Sequence, residues 1–140
     1  MSLRDHSVSI VVALGLSCAL VFSGAAQGAT APTTATPSAL HQSRIDAAAK
    51  AYAAMLARYK SGATTADELY LWSTRWLQSQ RDSGVKSLLL SGATDHRDRM
   101  KDLDAVTKTR VASGAASSDM VAATSYYLAE AEVWLADAKK

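Results

Sequence analysis

The chain has 140 residues, of which 49% are hydrophobic and 20% charged, and its formal net charge is +2. This length corresponds to one domain, large enough to bury a core without disulfides or metals. The near balance of charges and the lack of a clustered basic segment argue against a nucleic-acid-binding protein, and the single cysteine excludes an intramolecular disulfide.

The N-terminal residues 1–28 have the three parts of a secretory signal peptide. A short basic start is followed by the apolar run 8–22 and then by small residues. This order predicts export to the periplasm or the medium, with cleavage after Ala26 or after Gly28. An uncleaved membrane anchor is the alternative, because residues 8–26 approach the ~20 residues that span a bilayer.

Cys18 lies inside the apolar run, with Gly15 three positions before it. A lipidated cysteine normally stands at the end of such a run, with a leucine in the place that Gly15 holds. Lipidation is therefore the minor alternative to cleavage. A cleaved chain has no cysteine left, and hence no thiol nucleophile and no thiolate metal ligand.

Residues 29–38 contain both prolines of the chain, among alanine, threonine and serine. This composition predicts a flexible linker between the signal peptide and the domain. Residues 39–140 have no proline and are rich in alanine, which favours helices throughout.

Apolar residues spaced three and four apart predict the first helix, which ends at Lys60-Ser61-Gly62. Its predicted buried face comprises Leu40, Ile45, Ala48, Tyr52, Met55 and Tyr59. Thr65 and Glu68 form a capping-box pattern that starts the second helix, which ends near residue 82. Its apolar residues are Leu69, Trp72, Trp76 and Leu77.

A third helix is predicted over residues 85–112. The residues expected on one, mostly apolar, face of this helix are Val85, Leu89, Ala93, His96, Met100, Leu103 and Val106. Ser91-Gly92 could break this helix, but one continuous helix is favoured. The fourth helix begins at Ser117-Ser118-Asp119. Its predicted buried face comprises Met120, Val121, Thr124, Tyr127, Leu128, Ala131, Trp134 and Leu135.

The two halves overlay when the chain is shifted by 52 residues. The matched pairs are Arg58 with Arg110, Ser61-Gly62-Ala63 with Ser113-Gly114-Ala115, Thr65 with Ser117, Asp67 with Asp119, Leu69 with Val121, and Ser73 with Ser125. Good turn chemistry explains some of these matches, but the arginine and serine pairs lie outside the turns and favour a duplication. We therefore predict an all-α fold of two tandem antiparallel hairpins, about 39–82 and about 85–139. They form either a four-helix bundle or an elongated coiled-coil array.

Segments 57–80 and 108–138 resemble the repeated helical hairpin of the TolC family of outer-membrane efflux channels. The shared features are an Arg/Tyr-rich helix end, a Gly-x-x-(Ser/Thr)-x-Asp turn and a long Ala/Leu helix, and the resemblance covers most of residues 45–137. It implies that the turns bind protein partners, as the periplasmic tips of the channels dock on adaptor proteins. The matching positions are Arg58, Gly62, Thr65, Asp67, Leu69, Arg110, Gly114, Ser117, Asp119 and Val121. The chain departs from the family in its short helices and in its lack of amphipathic strands for a membrane barrel.

No catalytic or metal-binding motif stands out, so we expect no enzyme activity, no cofactor and no metal. His41 and His96 are the histidines left after the signal peptide, and His96 is expected to be a hydrogen-bonded core residue. The tryptophans are expected to fill the core, with a ligand-binding aromatic wall as the alternative. Tyr70 and one of Tyr126 and Tyr127 are expected at the surface. The charged segment 95–104 is expected to be a solvated face.

Two functions remain open on the sequence. The first is an exported, non-catalytic protein that acts through protein–protein contact in the cell envelope, either with itself or with another protein. The second is a small soluble four-helix bundle that binds an apolar or aromatic ligand in its core.

Overall fold

A computed structural model describes residues 35–140, which form four α-helices and no β-strand. The helices are α1 (Ala39–Lys60), α2 (Ala66–Asp82), α3 (Lys86–Ala112) and α4 (Asp119–Ala138). The predicted all-helical fold is therefore confirmed. Among these helices none is both long and apolar enough to cross a bilayer. The predicted signal peptide, with Cys18, and residues 29–34 of the predicted linker lie outside the described residues.

The first hairpin begins and turns on local signals. Ser38 Oγ accepts a hydrogen bond of 3.3 Å from the amide of His41 at the start of α1. Thr65 Oγ1 accepts one of 3.3 Å from the amide of Glu68 at the start of α2. These hydroxyls bind amides that have no carbonyl partner within the first helical turn. Between the two helices Gly62 has a φ of 77°, as expected for a glycine that ends a helix.

The helices pack in chain order as an open row. α1 packs on α2, α2 on α3 and α3 on α4, with a smaller contact between α2 and α4. No Cα atom of α1 lies within 8 Å of a Cα atom of α4. α1 and α4 are therefore the two edges of the row, and each has an outer face that no other described helix covers.

The core is centred on α2 and α3. Its main cluster contains Tyr52, Tyr59, Ala66, Leu69, Met100, Leu103 and Ala131, and a smaller one contains Leu77, Ala93 and Leu135. The predicted apolar stripes therefore locate most of the core. They are wrong at Leu40, which is 84% exposed, and at Val106, which is 41% exposed.

Both errors have a simple geometric cause. Arg44 pairs with Asp82, the last residue of α2, at 2.7 Å, so α2 ends one turn short of Leu40. On α3 the next buried residue after Leu103 and Asp104 is Thr107 and not Val106. A helical period of 3.6 residues allows a step of either three or four residues along one face, and here the step from Leu103 is four. Thr107 Oγ1 then lies 2.9 Å from the Tyr59 hydroxyl.

The predicted continuity of α3 through Ser91-Gly92 is confirmed. Gly92 is buried, and a Cβ atom added to it would lie 2.5 Å from Oε1 and 3.3 Å from Cβ of Gln80 on α2. The glycine therefore does not break the helix. Its missing side chain lets α2 and α3 approach closely.

The substitution Gly92→Ala tests this close approach. In an open helical position alanine is more stable than glycine by ~1 kcal/mol. Here the new methyl group meets the buried Gln80 side chain, and we expect a net loss of about 1 kcal/mol from overpacking. Gln80→Ala removes the two closest atoms, Oε1 and Cδ, and leaves Cβ at 3.3 Å, so in that background the same change should cost less stability. Urea unfolding of the natural chain, the two single variants and the double variant measures the change in the free energy of unfolding in each background. If Gly92→Ala stabilised the otherwise natural chain, the close packing of α2 on α3 would be contradicted.

Candidate functional site

The turns of the two hairpins have the same backbone geometry. Gly62 and Gly114 have φ values of 77° and 73°. In the first turn the amides of Gly62 and Ala63 donate to the carbonyls of Tyr59 and Arg58, at 3.0 and 2.8 Å. The equivalent bonds of the second turn have the same lengths, 3.0 and 2.8 Å. This pair of bonds is the Schellman motif, which satisfies the last carbonyls of a helix.

Side chains hold the two turns next to each other at one end of the row. Arg110 Nη1 donates to the carbonyl of Tyr59 at 3.3 Å, and its guanidinium lies 4.8 Å from the centre of the Tyr59 ring. The Tyr127 hydroxyl donates to Asp67 at 2.7 Å. Contacts of these kinds join the C-terminal end of α1 to α3 and the N-terminal end of α2 to α4. We call the two turns, residues 58–67 and 110–119, the paired-turn surface.

Most of the predicted site residues lie on this surface. The exposed ones are Arg58, Gly62, Thr65, Asp67, Gly114, Ser117 and Asp119. Arg110 and Val121 are partly buried. Leu69 is only 1% exposed and belongs to the main core cluster, so its side chain packs the hairpin and offers no surface to a partner.

Equivalent arginines of the two repeats have different contacts. Arg58 Nη2 donates to the carbonyl of Ala63 at 3.1 Å, within its own turn. Arg110 instead crosses to the first hairpin. The matched arginine therefore stabilises the first turn internally and links the second turn to the first.

The start of α4 differs from the start of α2. Ser118 occupies the N-cap position without a side-chain cap bond, and the amide of Met120 donates to the carbonyl of Ser117 at 3.2 Å. Ser117 is the position matched to Thr65, but it is not the N-cap residue of α4. A tight turn of this kind replaces the cap. The polar Ser117 side chain, with the backbone amides of Asp119 and Met120, holds the pKa of Asp119 below its usual value.

Behind the paired-turn surface, two tyrosines connect α2 to α4. The rings of Tyr70 and Tyr127 stack with their centres 4.1 Å apart. Tyr70 donates to Glu130 on α4, while Tyr127 donates to Asp67 on α2. Burial, together with these carboxylates, raises the pKa of each tyrosine to about 12. Both hydroxyls therefore stay protonated as donors, and Tyr126 is the tyrosine that is largely exposed, at 62%.

A buried polar cluster joins α2 to α3. Ser73 Oγ lies 2.7 Å from His96 Nδ1 and accepts a bond of 2.7 Å from Arg99 Nε. Arg99 can only donate, so Ser73 Oγ accepts from it, and the direction of the Ser73–His96 hydrogen bond depends on which ring nitrogen carries the proton. Trp134 stacks on His96 at 5.3 Å, and Arg99 lies 4.2 Å from the ring centre of Trp76.

The cluster confirms His96 as a hydrogen-bonded core residue. Ser73 and His96 are both 0% exposed, so no substrate reaches this serine–histidine pair in the described conformation. The tryptophans do not share one wall, because Trp76 contacts Arg99, Trp134 contacts His96 and Trp72 lies under Arg75. We interpret the cluster as an element that sets the register between α2 and α3.

A second buried polar group joins α3 to α4. Asp104 is 5% exposed and accepts hydrogen bonds from Thr124, Ser125 and Lys108, at 3.1, 2.9 and 2.6 Å. Burial by itself raises the pKa of a carboxyl group, but these three donors together hold the pKa of Asp104 below its usual value. The carboxylate therefore stays charged inside the protein.

The expectation of a solvated face over residues 95–104 is therefore wrong for Arg99 and Asp104. The signal that could have located them is the repeat itself, because Ser73 and Ser125 are matched positions and both bind polar groups of α3. Among residues 35–140, no three histidine, cysteine, aspartate or glutamate side chains lie close enough together to hold a metal ion.

The buried imidazole makes stability depend on pH. Burial, and then the charge of Arg99, lower the pKa of His96 from 6.5 to about 4 in the folded protein. Between these values the unfolded chain binds the additional proton, so stability is full above pH 6.5 and falls as the pH decreases towards 4. We expect a total loss of up to about 3 kcal/mol.

Urea unfolding at about pH 7 and about pH 4.5 measures this loss. His96→Gln is the matched control, since it keeps a hydrogen-bonding group but does not titrate, and its stability should change much less across this range. Asp104 does not obscure the result, because its stabilising charge is lost only below its unfolded pKa of 3.8. Equal pH dependence of the two proteins would contradict the assignment to His96.

Comparison of the chain with protein-family models, with curated proteins and with solved structures gave no match.

Proposed function

We propose that this is an exported, non-catalytic helical-hairpin protein that acts in the cell envelope by binding another protein through the paired-turn surface. The observation that supports this proposal most directly is the position of the two turns. They share one backbone geometry, lie side by side, and expose most of the residues that the repeat has in common. The signal-peptide pattern of residues 1–28 supports the location.

The surface is suited to binding because it is ordered before a partner arrives. The Schellman bonds satisfy the helix-end carbonyls, and Arg110 and the stacked tyrosines connect the two turns. A preorganised surface loses little conformational entropy on association. Its exposed carboxylates, Asp67 and Asp119, lie in the first turns of α2 and α4, and the exposed Arg58 and Lys60 end α1. The matching partner therefore presents groups of both charges, with basic side chains or amide donors opposite the two carboxylates.

The resemblance to the periplasmic hairpins of TolC-like efflux proteins enters this proposal through the same turns. In that family such turns bind adaptor hairpins. We infer a short relative in which two tandem hairpins, about 39–82 and about 85–139, keep the docking end without a membrane barrel. The linker of residues 29–38 would separate these hairpins from the export signal.

A second candidate function is ligand binding, and one groove favours it. A space of about 310 Å³ lies between α1 and α3. Its lining residues include the apolar or aromatic Tyr52, Tyr59, Leu69, Leu103 and Val106 and the charged Lys60, Arg99 and Asp102. This volume is at the lower end of the range for small-molecule sites. An apolar ligand would lie here, near Trp76, whose ring centre is 6.1 Å from that of Tyr52. A screen that leaves tryptophan emission unchanged would remove this candidate.

Capture of the partner in the native envelope tests the main proposal. Chemical crosslinking in intact cells, followed by mass spectrometry, should recover one envelope protein bound through residues 58–67 or 110–119. A charge-assisted hydrogen bond contributes about 1.5–3 kcal/mol, so Asp67→Asn should weaken partner binding about 10-fold or more. Recovery of crosslinks only to other surfaces would contradict the proposal.

Tyr127→Phe is the matched control for Asp67→Asn. It removes the same intramolecular hydrogen bond of 2.7 Å but leaves the carboxylate in place. If Asp67 contacts the partner, Asp67→Asn weakens binding and Tyr127→Phe does not. If both variants weaken binding equally, partner binding depends on the Tyr127–Asp67 hydrogen bond between the hairpins, and the Asp67 carboxylate does not contact the partner.

A further inference from the structure

The outer face of α4 carries an apolar stripe that no other described helix covers. Its members, all exposed, are Ala122, Tyr126, Ala129, Val133 and Ala136. Tyr126 is 62% and Val133 59% exposed, while the buried face of α4 is formed by other residues. The members alternate at spacings of four and three, which is the heptad period of a coiled-coil seam. A helix with two apolar faces is suited to a second helical neighbour.

The outer face of α1 has the same period but smaller side chains. Its exposed members are Leu40, Ser43, Ala47, Lys50, Ala54 and Ala57. Ala47, Ala54 and Ala57 leave shallow spaces, whereas Tyr126 and Val133 of α4 project. Large side chains of one seam fill the spaces between small ones of another when two helices pack.

The two edges carry opposite charge. α4 contains four carboxylates and no lysine or arginine, whereas α1 contains four basic residues and one carboxylate. Some of these groups have partners within the molecule: Asp137 pairs with Lys140, Glu130 accepts from Tyr70, and Arg44 pairs with Asp82. Lys50 on α1 and Glu132 on α4 make no ion pair within residues 35–140. Two α4 edges therefore repel each other, while an α4 edge and an α1 edge attract.

We propose that the α4 edge of one molecule packs on the α1 edge of a second copy, so that the copies assemble head to tail. The contact is antiparallel and continues the alternating helix directions of the row. It deepens the proposed protein–protein function by naming a second copy as a partner on a surface other than the paired turns. In such an assembly the paired-turn surfaces of successive copies all lie at one end. A head-to-tail contact closes into a ring or extends into a filament, according to its rotation.

Glutamine substitutions on each edge test the assembly in the protein purified from the cells that make it. The α4-edge variant is Tyr126→Gln with Val133→Gln, and the α1-edge variant is Ala47→Gln with Ala54→Gln. Light scattering coupled to gel filtration should give a mass above that of one chain for the natural protein and a monomer for each variant. An equimolar mixture of the two variants should form a dimer, since each retains the edge that the other has lost.

The control is Leu71→Gln with Leu90→Gln, which removes apolar side chains that are 42% and 41% exposed on α2 and α3. This variant should assemble like the natural protein, and circular dichroism should show every variant to be folded. A monomeric natural protein, an α1-edge variant that still dimerises, or a mixture that stays monomeric would each overturn the proposal. The edge variants leave the paired turns intact. Failure of the assembly proposal can therefore be distinguished from failure of the proposed function, which Asp67→Asn tests through partner capture.

Discussion

The positive φ of Gly62 and Gly114 is the constraint on which the remaining structure depends. Each glycine stops a helix in a conformation that costs other L-residues about 1–2 kcal/mol, and it turns the chain back on itself within five or six residues. Two such reversals, 52 residues apart, produce two antiparallel pairs. Because α2 and α3 occupy the middle of the row, both turns reach the same end, and both outer helices keep a face that no other helix of residues 35–140 covers.

The contact between the hairpins is specified by polar groups more than by apolar volume. Ser73 on α2 binds His96, and its repeat equivalent Ser125 on α4 binds Asp104, two helical turns further along α3. A buried polar group that loses its partner costs about 1–3 kcal/mol, so sliding α3 past either neighbour is penalised at both places. Gly92 also favours a single register between α2 and α3, since only one register places this residue without a side chain opposite Gln80.

Periodicity and turn chemistry predict the helices well, because each helix end depends on a few neighbouring residues. The start at Thr65 and the ends before Gly62 and Gly114 follow from local hydrogen bonds. The inward positions of Arg99 and Asp104 do not follow from local signals. A charged residue beside a buried stripe is solvated unless another helix supplies donors, and Thr124 and Ser125 come from α4. Likewise, neighbouring turns can be predicted from a repeat, but the tie from Arg110 to Tyr59 depends on how the hairpins pack.

The folded chain distributes its charges unevenly, although its net charge is small. A net charge of +2 suggests a surface without electrostatic character. Once folded, the chain collects carboxylates on α4 and basic residues on α1, the two helices that the row keeps apart. Opposite charges within one sequence would normally approach and neutralise each other in a closed bundle. Here the central pair of helices keeps Lys50 and Glu132 apart, and neither makes an ion pair within residues 35–140, so these two charges can act on a neighbouring molecule.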